Sequence, residues 1–425
     1  MAAKKQRKAV ISLLTVLGFA LVFAWQSFSP IQANSPATKR IGVLQFADHP
    51  SLLNSFDGLI AGLEDENYVV GKNLEVNYQV AKADMALNMQ MASQMAAENY
   101  DLVVGIATPS AQALYNAVRD RNIPLVFNAV TDPIAAGLAN LGDASEGPAD
   151  DDYYKNIPGV TGVSDQLPIQ QQLRMIRYFL PEATRLGILY TSSEANSVAS
   201  VKRYEELAPR YGFEIVARSI SATADLPIAT DEILNNVDAL TNLTDNTVVN
   251  NMQTVLAKAN QAGIPYFGSE EEQVRQGLLA AAGLDYFKLG KEAGEMAADI
   301  LDGDDPHDID IEAVAKSRIF YNSETLKNLG LTLPNFMRDD DGRDDDWDDD
   351  WDDDDWDDDW DDRDDDDYLY IRDVNPVVEQ SRGYQPNSRN VERNRYFRDD
   401  DDDDDWDDDD YDDDYDDDYD DDWDD

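Results

Sequence analysis

The stretch LVVGIATPSAQALYNAVR, residues 102–119, decides the fold class of this chain. It begins with a continuous apolar run, Leu102 to Ile106, turns through Ala-Thr-Pro, and continues from Ser110 with the apolar spacing of a helix. A second apolar run follows at Leu125–Asn128. Continuous apolar strands separated by helices are typical of a parallel sheet that is covered on both faces. The stretch therefore predicts an α/β fold.

The same alternation extends in both directions from this stretch and occurs twice along the chain. Before it, the sequence predicts strands at 41–46 and 74–80 and helices at 52–68 and 85–99. After residue 160 the pattern restarts, with strands predicted at 186–190, 213–218, 239–243, 266–268, 278–282 and 318–322, and helices at 167–180, 198–211, 226–236, 248–262 and 287–301. Two successive sets of similar size predict two doubly wound, Rossmann-like lobes.

The two ends of the chain differ in composition from the part between them. Residues 1–33 place four basic residues before an apolar run, which predicts a secretory signal peptide, with an uncleaved anchor as the alternative. Residues 338–425 carry 45 Asp and 2 Glu against 9 Arg, and so contribute −38 of the net charge of −54. We expect this Asp-rich, low-complexity tail to be disordered, because dense like charges repel each other.

Composition also excludes several classes of function. So strong a negative charge excludes a nucleic-acid partner. The chain has no cysteine, which excludes disulfides, thiolate sites and a lipid anchor on an N-terminal cysteine. Its two histidines, His49 and His307, cannot form a multi-histidine metal site, and no nucleophile-elbow or phosphate-loop motif occurs. We therefore expect no catalytic residue, no enzymatic activity, no cofactor and no metal site in the globular part.

Three hypotheses concern the role of the acidic tail. Its carboxylates predict weak and diffuse Ca²⁺ binding, which would draw the interspersed Trp and Tyr residues together. In the second hypothesis, the Arg-bearing middle segment, 368–398, forms ion pairs with the Asp runs on either side of it. In the third hypothesis, the tail is a repeat expansion without a selected function.

Small polar residues follow the predicted strands at their carboxyl ends, where open α/β sheets bind ligands. Any one of them can simply cap the start of a helix. In the functional alternative, free amides at the helix starts hold a carboxylate, and acids such as Glu194 or Asp245 hold an ammonium group. Such a pairing suits an amino acid.

Several short strings, in this order, resemble the substrate-binding proteins of one class of ABC importers. They are IGVLQ at 41–45, ATPSAQA at 107–113, AVTDP at 129–133, TGVSD at 161–165, EANS at 194–197, TDNTVV at 244–249, GLDY at 283–286 and GEMAA at 294–298. The resemblance covers residues 39–336 and is to the tryptophan- and tyrosine-binding type. This family is similar in fold to type I periplasmic binding proteins, which implies two lobes joined by a three-crossover hinge that closes on a small ligand.

The resemblance and the loops together set the expected domains and site. Lobe 1 is expected at 34–160 and 284–316, and lobe 2 at 161–283 and 317–337, followed by the tail from 338 to 425. The insertion around 143–154 and the tail do not belong to the family pattern. The residues expected to bind the ligand are Thr108, Ser110, Thr131, Asp132, Ser164, Asp165, Ser193, Glu194, Asn196, Thr244, Asp245, Asn246, Asp285 and Tyr286.

These observations predict an extracytoplasmic solute-binding protein of an ABC importer. Its ligand is expected to be small and amino-acid-like, with aromatic amino acids among the candidates, and its protein partner an ABC permease. Because no cysteine is available for lipidation, we expect a periplasmic monomer that meets the membrane only through the permease or an uncleaved signal. Two alternatives stay open: a ligand sensor that feeds a membrane receptor, and a cation- or surface-interaction protein that acts through its acidic tail.

Overall fold

The computed structural model describes residues 38–142, 154–313, 318–334 and 371–374. The predicted signal peptide and both Asp runs of the tail lie outside these residues. The elements of the first half are β1 (Lys39–Gln45), α1 (Pro50–Asp65), β2 (Leu74–Val80), α2 (Met85–Met95), β3 (Leu102–Ile106), α3 (Thr108–Val118), β4 (Leu125–Asn128), β5 (Ala139–Leu141), β6 (Tyr154–Asn156) and β7 (Val160–Ser164).

The second half continues the alternation. Its elements are α4 (Ile169–Phe179), β8 (Arg185–Thr191), α5 (Ala195–Leu207), β9 (Glu214–Ile220), α6 (Leu226–Leu234), β10 (Ala239–Thr241), α7 (Asn246–Asn250), α8 (Met252–Ala262), β11 (Tyr266–Phe267), α9 (Glu271–Arg275), β12 (Ala280–Gly283), α10 (Tyr286–Asp302), β13 (Glu312–Ala313), β14 (Arg318–Tyr321), α11 (Ser323–Asn328) and β15 (Ile371–Asp373). Among the described residues, no helix combines the length and the apolar character that crossing a membrane requires.

The strands form two main parallel sheets, one for each lobe, and the predicted α/β fold of two doubly wound lobes is confirmed. The first sheet has the order β13-β7-β4-β3-β1-β2, and the second has the order β11-β10-β8-β9. A third sheet, β12-β14-β15, adjoins the second through a bridge between Gly268 and Ala281. All five residues of β3 and of β7 are buried, as expected for strands covered on both faces.

The boundary expected at residue 160 differs from the structure. Residues 161–163 were expected to begin the second lobe, but they belong to the strand Val160–Ser164, which pairs with β4 from Val160 to Val163. Its hydrogen bonds keep it in the first sheet, so the chain crosses to α4 only through residues 165–168. A second crossing lies at residues 284–285, between β12 and α10. The stretch that leads from β13 to β14, residues 314–317, lies outside the described residues.

A helix expected at 248–262 is divided in two. Asp245 begins α7 by accepting a hydrogen bond from the amide of Val248 at 2.8 Å. Asn251, with φ −118° and ψ 16°, then leaves helical geometry and separates α7 from α8. An apolar period alone does not reveal such a break, because the apolar residues on both sides of it still face the core.

Helices α1 and α10 touch backbone to backbone, although they are distant in sequence. A Cβ atom placed on Gly58 would lie 2.0 Å from the carbonyl oxygen of Phe287, and one on Gly290 would lie 1.9 Å from that of Ser55. Gly62 and Gly294 extend the contact by one turn each. Because only glycine permits this approach, α10 is fixed to the first lobe immediately after the chain has crossed from the second.

Candidate functional site

A cavity lies between the carboxyl ends of the two main sheets. The space there that protein atoms do not fill is about 280 Å³, and it includes solvent at the open mouth of the cavity. Residues of both lobes line it, together with Asp165 of the first crossing. These are His49, Leu52, Ala107, Thr108, Ala129, Thr131, Asp165, Asn196, Thr244, Asn246, Val249, Glu270 and Tyr286.

Two alanines in the wall of the cavity have a left-handed backbone. Ala107 has φ +74° at the end of β3, and Ala129 has φ +57° at the end of β4. Residues with a Cβ rarely adopt this region, and such strain is concentrated at functional sites. The bends bring Thr108 and Thr131, which follow these alanines closely in the chain, to the cavity.

Five lining residues have buried polar atoms that lack a hydrogen-bond partner within the described parts of the chain. The atoms are Nδ1 of His49, Oγ1 of Thr108, Oδ1 of Asp165, Oδ1 of Asn196 and Oε2 of Glu270. A buried polar group without a partner costs about 1–3 kcal/mol. Their concentration around one cavity is the pattern expected where a polar ligand completes the hydrogen bonds.

Two of these residues are carboxyls, and in each only one oxygen has a hydrogen-bond partner among the described residues. Oδ2 of Asp165 accepts a hydrogen bond from the Tyr286 hydroxyl at 2.6 Å. Oε1 of Glu270 accepts from the Ser51 hydroxyl at 2.5 Å and from Nε2 of Gln273 at 3.0 Å. Burial raises the pKa of Asp165 to about 6 and the pKa of Glu270 to about 8, although these hydrogen bonds act in the opposite direction.

The one histidine of the cavity is neutral at physiological pH. Burial lowers the pKa of His49 to about 4, although the side chain of Asn246 hydrogen-bonds to it and opposes the shift. A neutral imidazole carries one donor and one acceptor nitrogen. His49 therefore offers the cavity hydrogen bonding without a positive charge.

The two lobes touch each other around the cavity. The hydroxyls of Thr131 and Thr244, one from each lobe, lie 2.8 Å apart. Nδ2 of Asn54 donates to Oε1 of Glu272 at 3.1 Å, next to the bond between Ser51 and Glu270. These contacts describe a closed arrangement of the lobes.

Seven of the fourteen residues predicted to bind the ligand line the cavity. They are Thr108, Thr131, Asp165, Asn196, Thr244, Asn246 and Tyr286. Among the others, Ser110 donates to Asn88 inside the first lobe at 2.7 Å, Ser193 is exposed, and the Ser164 hydroxyl lies 3.5 Å from the carbonyl oxygen of Thr131. Asp132 and Asp285 accept hydrogen bonds from backbone amides that follow them in the chain.

Glu194 and Asp245, the acids expected to hold an ammonium group, hold the start of α7 instead. The two oxygens of Glu194 accept four hydrogen bonds, from the amides and side chains of Asn246 and Thr247, at 2.7–3.0 Å. Asp245 accepts three, from the amide and hydroxyl of Thr191 and from the amide of Val248. Their carboxylates are occupied within the second lobe, and neither residue lines the cavity.

Sequence reasoning missed six residues of the cavity wall: His49, Leu52, Ala107, Ala129, Val249 and Glu270. Glu270 follows β11 in one of the polar loops at the carboxyl ends of the predicted strands, but it was not among the residues expected to bind the ligand. No group of three or more His, Asp or Glu side chains is placed to hold a metal ion among the described residues. The predicted weak Ca²⁺ binding concerns the Asp runs and stays a prediction.

Comparison with known proteins gives consistent matches over the globular region. The family model described as ABC transporter substrate binding protein matches residues 40–339. A tyrosine-binding protein from Clostridioides difficile (strain R20291) is 36% identical to this chain over 300 residues, which is 71% of this chain and 83% of that protein.

Two solved structures extend the comparison to conformation. A domain from Streptococcus pneumonia in complex with L-Trp has a TM-score of 0.65 at 31% identity and covers 70% of this chain and 97% of its own. A ligand-free, open substrate-binding protein with adhesive properties from Clostridium difficile has a TM-score of 0.52 at 33% identity and covers 70% of this chain and 96% of its own. This chain is more similar to the liganded structure than to the open one, in agreement with the contacts between its lobes.

Proposed function

Because this chain belongs to the family of ABC transporter substrate-binding proteins, we propose that it binds an aromatic amino acid in the cavity between its lobes and delivers it to an ABC importer. Proteins of this family act outside the cytoplasm, bind small molecules, and are in general not enzymes. The tyrosine-binding relative and the L-Trp complex direct the proposal towards aromatic amino acids.

The observation that carries the proposal is the set of unpartnered polar atoms around the cavity. Oδ1 of Asp165 and Oε2 of Glu270 are acceptors that an ammonium group would satisfy. Oγ1 of Thr108 stands at the first residue of α3, where the positive end of the helix dipole favours a carboxylate. Leu52 and Val249 supply apolar surface for the side chain of the ligand. An α-amino acid combines these three requirements.

The charge of the wall favours a ligand with a cationic group. Two carboxyls line the cavity, and none of the described lining residues is Lys or Arg. A ligand that carries only a carboxylate would face the ionised carboxyl of Asp165 without a counter-charge, and repulsion would weaken its binding. An ammonium group placed near Asp165 and Glu270 would lower the pKa of both carboxyls and favour their ionised forms.

Isothermal titration calorimetry of the full-length chain at pH 7.5 tests the proposal. L-Tyrosine and L-tryptophan are the probes, with 3-(4-hydroxyphenyl)propionate as a matched compound that lacks the ammonium group and tyramine as one that lacks the carboxylate. We expect both amino acids to bind, and each matched compound to bind at least about 100-fold more weakly, since it leaves charged partners unsatisfied. Absence of heat with all twenty amino acids would overturn the proposal.

The direction of transport and the compartment belong to the same proposal. We propose that the protein is periplasmic and unlipidated, since the chain has no cysteine to lipidate. We also propose that it is a monomer that passes its ligand to a permease. Uptake of labelled L-tyrosine, with and without the gene for this chain, tests import, and cell fractionation tests the compartment. Unchanged uptake together with binding in vitro would favour the alternative of a ligand sensor.

A further inference from the structure

A short strand from the Asp-rich tail is part of the folded domain. Strand β15 pairs in parallel with β14, with Ile319 opposite Ile371, Phe320 opposite Arg372 and Tyr321 opposite Asp373. The next residue, Val374, extends the pairing, because its amide donates to the carbonyl oxygen of Tyr321 at 3.0 Å. The family match ends at residue 339, so this strand lies beyond the part of the chain that the family model covers.

The strand is attached by side chains as well as by its backbone. Val374 is fully buried in a cluster with Val274, Ala281 and Phe320. Oδ1 of Asp373 accepts a hydrogen bond from the amide of Ser323, the first residue of α11, at 3.3 Å. The two side chains stabilise the contact in different ways. Val374 removes apolar surface from water, and Asp373 accepts a hydrogen bond from an amide at the start of α11.

This contact lies behind the wall of the ligand cavity. Val274, which packs with Val374, belongs to the short helix α9, and Glu270 of the cavity immediately precedes that helix. The same helix is held from the β14 side, where Nδ2 of Asn322 donates to the carbonyl oxygen of Val274 at 3.2 Å. The Thr325 hydroxyl donates to the carbonyl oxygen of Gly277 at 2.9 Å. Helix α9 therefore connects the carboxyl of Glu270 to the strand from the tail.

We propose that Val374 is a positioning residue for the ligand site: docking of residues 371–374 on β14 fixes α9 and thereby holds Glu270 at the cavity. The inference rests on the proposed function for its ligand, but the docking itself is independent of any ligand. It makes a segment of the tail a structural part of the binding domain.

The test uses the full-length chain and three substitutions. Val374→Asp introduces a carboxylate into the cluster, Val374→Ile keeps an apolar plug, and Ile228→Asp places an acid at a site in α6 that is 66% exposed. Hydrogen exchange is measured over residues 271–275 and 318–321, and the affinity for L-tyrosine is measured by calorimetry. We expect Val374→Asp to accelerate exchange in both segments at least 10-fold and to weaken binding at least 10-fold. Val374→Ile and Ile228→Asp should retain wild-type values.

Each outcome either supports or overturns the inference. Unchanged exchange at 271–275 in Val374→Asp would overturn it, whatever the ligand. Accelerated exchange with unchanged affinity for L-tyrosine would also overturn it, because α9 would then not position the site. If the wild-type chain binds no amino acid, the proposed function fails, and the exchange data still decide whether the docked strand holds α9. If Val374→Asp fails to fold, Val374→Ala takes its place with the same expected directions.

Discussion

Two pairs of buried carboxyls, one at the start of α7 and one at the cavity, show how the same residue types serve different purposes. Glu194 and Asp245 accept four and three hydrogen bonds respectively, and both oxygens of each are occupied. Asp165 and Glu270 each retain one oxygen without a partner among the described residues. All four are at most 3% exposed, so burial does not distinguish the pairs.

The number of donors aimed at each carboxyl makes the difference. A carboxylate saturated by backbone amides and side chains ties loops together, and removing it leaves several buried donors unpaired. A carboxyl that is satisfied on one side only has a place for a ligand on the other. The first pair is therefore expected to matter for stability and the second for binding, and the following experiments measure that division.

The largest effect is expected from Glu194→Ala. The substitution leaves two amides and two side-chain donors without partners in the second lobe, and should lower the free energy of unfolding by about 4 kcal/mol. Urea denaturation followed by circular dichroism measures the change. Glu205→Ala is the matched control, because Glu205 is an exposed glutamate of α5, the helix that Glu194 directly precedes. A loss below about 1 kcal/mol for Glu194→Ala would contradict the comparison.

Asp165→Asn is expected to have the opposite profile. The amide is nearly isosteric but lacks the negative charge, so the affinity for L-tyrosine should fall about 100-fold, or about 2.7 kcal/mol. Stability of the ligand-free protein should be unchanged or higher, because a buried ionisable group without full pairing is removed. Calorimetry and urea denaturation on the same sample separate the two quantities. Wild-type affinity would show that Asp165 does not contact the ligand.

The pH dependence of the ligand-free protein tests the second pair next. Burial raises the pKa of Glu270 to about 8 and the pKa of Asp165 to about 6, so the folded state binds protons more tightly than the unfolded chain, where both titrate near pH 4. The resulting stabilisation is complete below about pH 4 and is lost as the pH rises towards 8. Between pH 5 and pH 6 the wild-type chain should lose about 2 kcal/mol relative to an Asp165→Asn, Glu270→Gln double variant.

Urea denaturation in buffers of constant ionic strength measures this difference. Taking the difference between the two proteins cancels the contribution of other acids with raised pKa values, such as Glu292, whose pKa burial raises to about 7. If the free energy of unfolding of the wild type and of the double variant changed equally with pH, the two cavity carboxyls would not have raised pKa values in the folded state.

The smallest effect is expected where the lobes meet. Thr244→Val removes the hydroxyl that lies 2.8 Å from that of Thr131, and should weaken the closed state by about 1 kcal/mol and the affinity for L-tyrosine about 5-fold. Ser193→Ala is the control, since this exposed residue does not line the cavity. Equal effects of the two substitutions on affinity would remove the distinction between cavity residues and their neighbours in the same loops.

Much of the fold was predictable because apolar periodicity acts locally. The strands predicted at Leu74–Val80, Leu102–Ile106 and Leu125–Asn128 agree with the structure at both ends. Strand β15 was not predictable in this way, because it has three residues, lies among charged repeats, and pairs with β14 about fifty residues earlier in the chain. Its place depends on an open edge and an apolar gap in a distant surface.

The loops of the site were predictable, but the direction of each side chain was not. Parallel strands bring their carboxyl ends to one edge, which located Thr108, Thr131, Asp165 and Asn246 correctly at the cavity. Glu194 was assigned to the ligand because the sequence around it does not show its actual partners. Its four hydrogen-bond donors come from a loop about fifty residues later in the chain. Which acids become saturated depends on the approach of separate loops, and no local pattern records that approach.

The glycine contact between α1 and α10 has a mechanical consequence. Helix α1 starts beside His49 and carries Leu52, whereas α10 starts with Tyr286, so the two locked helices join three lining residues of the cavity into one stiff body. If the lobes rotate at residues 284–285, this body must move as a unit. The hydrogen bond between Ser51 and Glu270 would then break as the cleft opens. We therefore expect the wall that the first lobe contributes to keep its shape if the lobes move apart, so that a ligand would meet a preformed surface.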